Sequence, residues 1–294
     1  MTRVEREGGA KWITMCGGWS GLGRPLAWTL VQTPGSPPPR SALLAAWANA
    51  WLSGDAALPD LAARVGALDD NQSVTGLWVD DIPVEQAVGR LRADGVTRFR
   101  VVLPAPGDVL GLPGPGPFTS AAVLASEGVL ALRDDGTGTG LVPTITAHGS
   151  SFDGTVTTVL WTAYDVSVPG PDPGPFLHDA EHDLRRGLVE CVEVLRDLDV
   201  ARWRPEVAGA LEDLRARARH GIDDDELPSS YPPRARLLLV QARQLADVLS
   251  LATADSGGAV DTRETVERER ALRGLEQLVR RARVAAYNSY GLPS

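Results

Sequence analysis

The sequence predicts an α/β domain with a mixed sheet, parallel in its first half and antiparallel at its end, followed by an all-α helical bundle domain. Strand-like and helix-like segments alternate from residue 26 to residue 127. This order is typical of a parallel sheet with crossover helices. Three β-rich segments then follow through short, turn-rich links, which favours antiparallel hairpins. Beyond Pro169–Pro175 the pattern is helical.

Composition limits the class of protein. The chain has 294 residues, enough for two domains of roughly 100 to 200 residues each. Its 43% hydrophobic and 23% charged residues are typical of a globular protein. The net charge of -9 disfavours nucleic acid as a partner, because non-specific binding relies on a positive field. No stretch approaches the roughly 20 apolar residues of a membrane span, so no membrane partner is predicted either.

The cysteines and the N-terminal residues indicate where in the cell the protein is expected. Cys16 and Cys191 suggest neither a disulfide framework nor a metal site, so we expect a reducing cytoplasm. Residues 1–24 predict a flexible tail, charged and then glycine-rich, without the apolar core of a signal peptide. Arginine-rich, lysine-poor composition indicates a high-GC bacterial genome.

The α/β domain is predicted over residues 25–168. Apolar residues at spacings of three and four mark its helices, and short runs of β-branched and aromatic residues mark its strands. The predicted order is a strand at 26–32, a helix capped by Ser41 and ending at Gly54, a helix at 59–68, a strand at 73–79, a helix from Pro83 to Gly95, a buried strand at 99–103, and β-rich segments at 128–133, 140–147 and 155–166.

A proline-rich linker and a helical domain complete the chain. Residues 169–175, PGPDPGP, are stiff and poor in backbone donors, as expected of a short spacer. Residues 176–294 then carry four amphipathic patterns, which predict a bundle. The patterns begin near Leu177, Pro205, Arg234 and Asp261.

The loop after the strand at 99–103 is the predicted ligand site. Prolines and glycines from Pro104 to Pro117 predict a rigid loop that ends where a helix begins. Ligands of open α/β sheets bind beyond strand ends, and helix starts attract anions. The alternative is a stiff connection in which Asp108 is only a turn residue. The candidate ligand-binding residues are Asp108, Gly107, Thr119, Ser120 and His148.

The order H-x-x-E-H at His178, Glu181 and His182 resembles the inverted zincin metallopeptidases. The resemblance implies that the two histidines bind zinc and that Glu181 is the general base. That family also needs a glutamate ligand further along the chain. Glu190 lies about 12 Å along the helix and is out of reach. The remaining donors are Glu264, Glu267 and Glu269.

The apolar pattern around these histidines favours a different interpretation. Leu177, Ala180 and Leu184 form the buried stripe of the helix, so both histidines fall on its solvated flank. The sequence therefore predicts no metal site, with His178, Glu181 and His182 as weak candidates, and it names no cofactor.

Two functions stay open. The first is a non-catalytic interaction or oligomerisation protein, whose helical domain binds a protein partner or a second copy and whose α/β domain is a scaffold. The second is a hydrolase or transferase that binds a small anion at residues 104–119. The lack of a complete catalytic motif favours the first, and the placement of the loop favours the second.

Overall fold

The computed structural model describes residues 37–150, 154–168, 174–197, 226–254 and 262–291. The predicted tail, the strand expected at 26–32 and the helix expected from Pro205 lie outside these residues. All structural findings refer to the described ranges.

An α/β part precedes a helical part. The elements of the α/β part are α1 (Arg40–Leu52), α2 (Leu58–Val65) with a 3-10 turn (Gly66–Leu68), β1 (Asn71–Thr75), β2 (Ile82–Pro83), α3 (Val84–Ala93), β3 (Arg98–Val102), α4 (Pro117–Ala125), β4 (Gly128–Leu132), β5 (Thr137–Ser150) and β6 (Gly154–Ser167). The helical part contains α5 (Leu177–Asp197), α6 (Pro233–Ala254) and α7 (Thr262–Tyr287).

The described strands form one mixed sheet in the order β2-β1-β6-β5-β4-β3. Its mixed character and its antiparallel end are confirmed, since β4, β5 and β6 pair as consecutive antiparallel neighbours. The parallel pairing is placed differently from the expectation. β1 pairs in parallel with β6, whereas β3 pairs antiparallel with β4. The difference arises because the β5–β6 hairpin lies between β1 and β4 and keeps β1 away from β3.

Strand β1 ends earlier than the predicted strand at 73–79. Gly76 follows Thr75 with φ +88°, a left-handed conformation that terminates the strand. The apolar residues beyond it do not pair with the sheet. Trp78 instead lies under the guanidinium of Arg90, 5.1 Å from the ring centroid, and Val79 is fully exposed.

Strand β3 is buried on both faces, as predicted, although it lies at the edge of the sheet. Phe99 and Val101 contribute to the core beneath α1 and α3, and Val102 contributes to the core beneath α4. An edge strand leaves a row of backbone donors and acceptors unpaired. In this protein, two asparagine side chains close that edge.

Asn49 of α1 and Asn288, just beyond α7, pair with β3 as a neighbouring strand would. The Asn49 amide accepts from the Phe99 N–H and donates to the Phe99 carbonyl, both at 2.8 Å. Asn288 accepts from the Val101 N–H at 2.8 Å and donates to the Val101 carbonyl at 3.0 Å. The edge is thereby satisfied without another strand.

In the helical part, α7 packs against both α5 and α6. The helices approach closely at Gly187 of α5, where an added Cβ would lie 2.1 Å from Cδ1 of Leu278. No helix in the described ranges is long and apolar enough to cross a membrane. The core of this part comprises Ala180, Leu184, Cys191, Leu238, Ala242, Leu249, Ala252, Leu272, Leu275, Val279, Ala282 and Ala285.

The two parts share a core. Val284, Ala286 and Tyr287, in the last turn of α7, belong to the same buried cluster as α1 and β3. Tyr231, before α6, belongs to it too, and its hydroxyl donates to the Tyr287 carbonyl at 3.0 Å. The end of the helical part therefore completes the core of the sheet.

Candidate functional site

The loop between β3 and α4 contains a tight turn around the predicted site residue Asp108. The Ala105 N–H donates to the Asp108 carbonyl at 3.0 Å, and the Asp108 N–H donates to the Ala105 carbonyl at 2.8 Å. Pro106 and Gly107 occupy the centre of the turn, and Gly107 has φ +81°. Proline followed by a positive-φ glycine is typical of a type II turn, so Gly107 has a conformational role.

Two arginines of α7 bind the Asp108 carboxylate. Arg280 Nη2 donates to Oδ2 at 2.7 Å, and Arg281 donates to Oδ1 at 3.1 Å and to Oδ2 at 3.3 Å. Burial alone would raise the pKa of Asp108, which is 8% exposed, but the two guanidinium groups outweigh burial and lower it. A carboxylate with a lowered pKa and saturated oxygens is poorly suited to accept a proton. It joins the loop to α7.

Thr119 and Ser120 lie in the first turn of α4, where an anion was expected. The Thr119 hydroxyl donates to the Gly114 carbonyl, and the Ser120 hydroxyl donates to the Gly116 carbonyl at 3.2 Å. Both hydroxyls bind the loop that precedes the helix. Their role as ligand-binding residues stays a prediction.

Arg100 connects this loop to a neighbouring cavity. Its buried guanidinium donates from Nη2 to the Gly111 carbonyl at 2.8 Å. It also lines a cavity of about 460 Å³. The lining residues include Arg98, Arg100 and Arg133 as well as Asp134 and Asp135, three basic residues against two acidic ones.

Hydrogen bonds orient two of the charged side chains around the cavity. Arg133 Nε donates to the Asp94 carbonyl at 2.8 Å. The Thr97 hydroxyl donates to Asp134 Oδ1 at 2.7 Å. The loop hypothesis included none of these cavity residues, because they come from the segment between α3 and β3, from β3 itself and from the turn after β4.

His148 is far from the other predicted site residues. It lies on the exposed stretch of β5, in register with Val156 of β6. Phe118, the neighbour of Thr119 in α4, packs against Gly140 of β5. Gly140 is eight residues before His148 on that strand. At about 3.3 Å per residue, these two positions on the strand are roughly 26 Å apart. The structure therefore does not bring His148 to the loop.

An arginine lies between the weak metal candidates. Arg234 donates to Glu181 Oε2 at 2.5 Å and to His178 Nδ1 at 3.1 Å, and Arg185 donates to Glu181 Oε1 at 2.9 Å. The hydrogen bond and charge of Arg234 lower the pKa of Glu181. Within the described ranges, no group of three His, Cys, Asp or Glu residues is arranged to hold a metal ion.

The sequence did not identify a buried polar network next to α1. Arg40 binds Asp69 through Nε at 3.2 Å and Nη2 at 3.0 Å. Gln72 Nε2 donates to Asp69 Oδ2 at 3.1 Å, and Trp161 Nε1 donates to Gln72 Oε1 at 2.9 Å. Every link is a satisfied donor and acceptor pair, as expected of a structural network.

Glu127 caps α1 from a distant part of the chain. The helix begins at Arg40 after Pro39, so the expected cap by Ser41 is wrong. Pro39 offers no side-chain acceptor, and Glu127 Oε2 accepts from the Ser41 N–H at 2.8 Å instead. Burial raises the pKa of Glu127. The separation of 86 residues explains why local sequence patterns gave no sign of this contact.

A second polar cluster lies where the two parts meet. Glu226 accepts from Arg243 Nη1 at 2.5 Å and from the Tyr287 hydroxyl. Burial raises the pKa of Tyr287 well above its ordinary value, and the charge of Glu226 raises it further. Tyr287 is therefore a neutral hydrogen-bond donor to Glu226 rather than a proton acceptor.

The β5–β6 ribbon, formed by the 14 residues of each strand, extends beyond its neighbours. β4 pairs with β5 only at residues 138–141. From Val142 onward, no described strand pairs with the outer edge of β5. Residues 144–149 are all exposed, and β5 contains no Asp, Glu, Lys or Arg. We call this stretch, residues 144–149, the open edge.

The faces of the ribbon next to the open edge carry apolar side chains. Ile145 is 43% exposed on one face. Val156 and Leu160 are 50% and 37% exposed on the other, beyond the region that α4 covers. The ribbon therefore combines an edge that no strand of the described ranges pairs with and uncharged, partly apolar surroundings.

The mixed sheet, whose edge is closed by a residue at the end of the helical part, identifies the class of protein. It is an α/β domain followed by a C-terminal helical domain. The chain belongs to the family of Rv1486c-like proteins, whose N-terminal domain matches residues 41–175 and whose C-terminal domain matches residues 178–284.

Relatives match most of the chain. The Mycobacterium tuberculosis protein Rv1486c is 31% identical over 288 residues, covering 84% of this chain and 95% of the relative. The Mycobacterium leprae protein ML1804 is 30% identical over 291 residues, covering 85% of this chain and 96% of the relative. No solved structure matches the chain.

Proposed function

We propose that this protein is a non-catalytic interaction protein that binds an extended protein segment along the open edge of β5, with the rest of the α/β part as a scaffold. The observation that carries the proposal is the open edge itself, six exposed residues that pair with β6 on one side and have no described strand on the other. An extended segment can add to such an edge through main-chain hydrogen bonds.

The chemistry of the edge supports binding. Proteins protect exposed edges with charged residues, prolines or bulges, because an uncharged edge is a template for pairing. Pro143 lies just before the open edge, but the edge itself, TITAHG, contains no Asp, Glu, Lys or Arg. Such an edge is stable in solution when a partner covers it.

The state of the loop residues also supports a non-catalytic role. Asp108, the acidic candidate in the loop, is bound to Arg280 and Arg281 and has a lowered pKa. The proposal includes a cytoplasmic location, which the free thiol of buried Cys191 supports.

Three full-length baits test the proposal: the wild-type chain, Thr146→Lys and Ser167→Lys. Thr146 is in the open edge, whereas Ser167 is an exposed residue at the opposite end of the same ribbon. A lysine at the edge disfavours strand addition because its charge must be desolvated. Each bait is incubated with a lysate of cells that encode the protein, and bound proteins are quantified by mass spectrometry.

We expect a protein, additional copies of this chain included, that binds the wild-type and Ser167→Lys baits and binds Thr146→Lys about tenfold less, a loss of about 1.4 kcal/mol. Equal capture by all three baits would contradict the proposed function. Circular dichroism of the three baits checks that the fold is unchanged.

The cavity beside Arg100 favours a second candidate function, the binding of a small anion. Its volume of about 460 Å³ suits a small molecule, and three arginines are among its lining residues. Arginine recognises carboxylate and phosphate through paired hydrogen bonds. Binding here requires no catalytic group.

Thermal denaturation with inorganic phosphate, nucleotides and dicarboxylates tests this candidate, because a ligand of the folded state raises the melting temperature. A rise that Arg133→Gln abolishes and Arg64→Gln leaves intact would support the anion site. No rise with any compound would argue against it. Arg64 is a suitable control because its guanidinium lies over the Trp47 ring, away from the cavity lining.

A further inference from the structure

We infer that the segment bound along the open edge is the open edge of a second copy of this chain, so that two β5 strands pair antiparallel about a two-fold axis. The inference rests on the proposed function and names its partner. A two-fold interface uses the same patch on both copies, so the patch must be complementary to itself. The open edge meets this requirement in length, side-chain size and charge.

A register centred on Thr146 matches side chains by size. Thr146 then lies opposite the same residue of the second copy, Ile145 lies opposite Ala147, and Thr144 lies opposite His148. Cross-strand Thr–Thr pairs stabilise a sheet, and a large residue opposite a small one leaves room for packing. Ile145, exposed in the single chain, would be covered in this arrangement.

Charge also favours self-pairing at this place. The chain carries a net charge of -9, so two copies repel each other over most of their surfaces. The strands of the ribbon hold one charged residue, Asp165, which lies outside the open edge. The ribbon is therefore a surface on which two acidic copies can meet without a direct like-charge contact.

The size of the contact indicates a reversible dimer. A strand pair of about six residues lies at the low end of stable protein interfaces. We expect a dissociation constant on the order of micromolar, which corresponds to about 8 kcal/mol of binding free energy. Higher salt screens the repulsion between copies and should tighten the dimer.

Sedimentation equilibrium of the full chain over about 1 to 200 μM is the first test, a range that brackets the expected dissociation constant. Wild-type and Ser167→Lys chains should show a monomer–dimer equilibrium. Thr146→Lys should stay monomeric, because it brings two lysines together at the axis. A monomeric wild-type chain, or a Thr146→Lys chain that dimerises like the wild type, overturns the inference.

A disulfide tests the register. In a Cys16→Ser background, where buried Cys191 is the remaining native thiol, Thr146→Cys should form a covalent dimer on mild oxidation. Residues directly opposite in an antiparallel pair have Cα atoms about 4.5 to 5.5 Å apart, within disulfide range. Leu124→Cys, an exposed position on α4, is the control. Equal cross-linking of the two variants overturns the register.

The two proposals fail differently. If the wild-type chain is monomeric but captures a different protein that Thr146→Lys loses, the second copy is the wrong partner and the interaction function stands. If the chain is monomeric and the three baits capture the same proteins, both proposals are wrong.

Discussion

At the scale of single residues, the contact between Asp108 and the arginines of α7 has a measurable pH signature. The folded pKa of Asp108 lies below its ordinary value of 3.8, so ionisation favours folding. This stabilisation is complete above the pKa that Asp108 has in the unfolded chain. It is lost as pH falls through the lower pKa that Asp108 has in the folded protein. We expect Asp108→Asn to lower the free energy of unfolding by about 2 kcal/mol at pH 7, since partly exposed arginines remain hydrated.

Urea denaturation of both proteins between neutral and acidic pH measures the effect. The difference between wild type and Asp108→Asn should shrink as pH falls below about 4. Asp80→Asn is the control, because Asp80 is an exposed acidic residue in the loop after β1. A difference for Asp108→Asn that is constant over the whole pH range would contradict the assigned role of the charge.

At the scale of elements, strand β3 depends on the asparagines that close its edge. Asn288→Ala removes both hydrogen bonds to Val101 and leaves its N–H and carbonyl without their partner. Unpaired buried backbone groups cost about 1 to 3 kcal/mol, so we expect a loss of about 2 kcal/mol of stability. Chemical denaturation gives this value directly.

Asn288→Asp separates the two hydrogen bonds. Aspartate can still accept from the Val101 N–H but cannot donate to the Val101 carbonyl when ionised. In hydrogen exchange, the Val101 amide should therefore remain better protected in Asn288→Asp than in Asn288→Ala. Equal protection in wild type and both variants would show that the edge does not need this side chain.

Glycines provide a matched pair of predictions for packing between elements. At Gly140 of β5, an added Cβ would lie 2.3 to 2.8 Å from atoms of the Phe118 ring. We expect Gly140→Ala to cost about 1 to 3 kcal/mol through overpacking. Gly274 lies in α7 with nothing within 4 Å of an added Cβ. Gly274→Ala should instead stabilise the protein by about 0.5 to 1 kcal/mol.

Melting temperatures of the two alanine variants should therefore change in opposite directions. A lower melting temperature for Gly274→Ala, or an unchanged one for Gly140→Ala, would contradict the packing described for that position.

The sequence predicted those elements whose cause is local. β-Branched and aromatic residues marked β6, and the prolines and glycines after Val102 marked the loop that precedes α4. These signals depend on backbone preferences of neighbouring residues. The strand order could not be predicted, because it depends on where the β5–β6 hairpin inserts.

The contacts of the candidate site could not be predicted from local sequence patterns. Asp108 was predicted to bind a ligand, which stays a prediction, and its partners in the structure lie 172 and 173 residues away in α7. Asn288 lies 187 residues from Val101. A single sequence carries no signal for pairs at such separations.

At the scale of the whole molecule, the shared core predicts that both parts unfold together. Val284 and Tyr287 of α7 are buried with the residues of the sheet, Asn288 closes β3, and Arg280 binds Asp108. A destabilising substitution in either part should therefore lower the stability of the other part. Leu275 tests this, since it lies in the core of the helical part, remote from the sheet.

We expect Leu275→Ala to lower the free energy of unfolding by about 2 to 4 kcal/mol, through lost transfer energy and the cavity that remains. In native-state hydrogen exchange, the slowest amides of β3 and β4 should lose as much protection as those of α7, because global unfolding limits both. The reciprocal variant, Leu130→Ala in β4, should likewise reduce protection in α6 and α7. If β3 and β4 keep wild-type protection in Leu275→Ala, the two parts unfold independently and the shared core does not couple them.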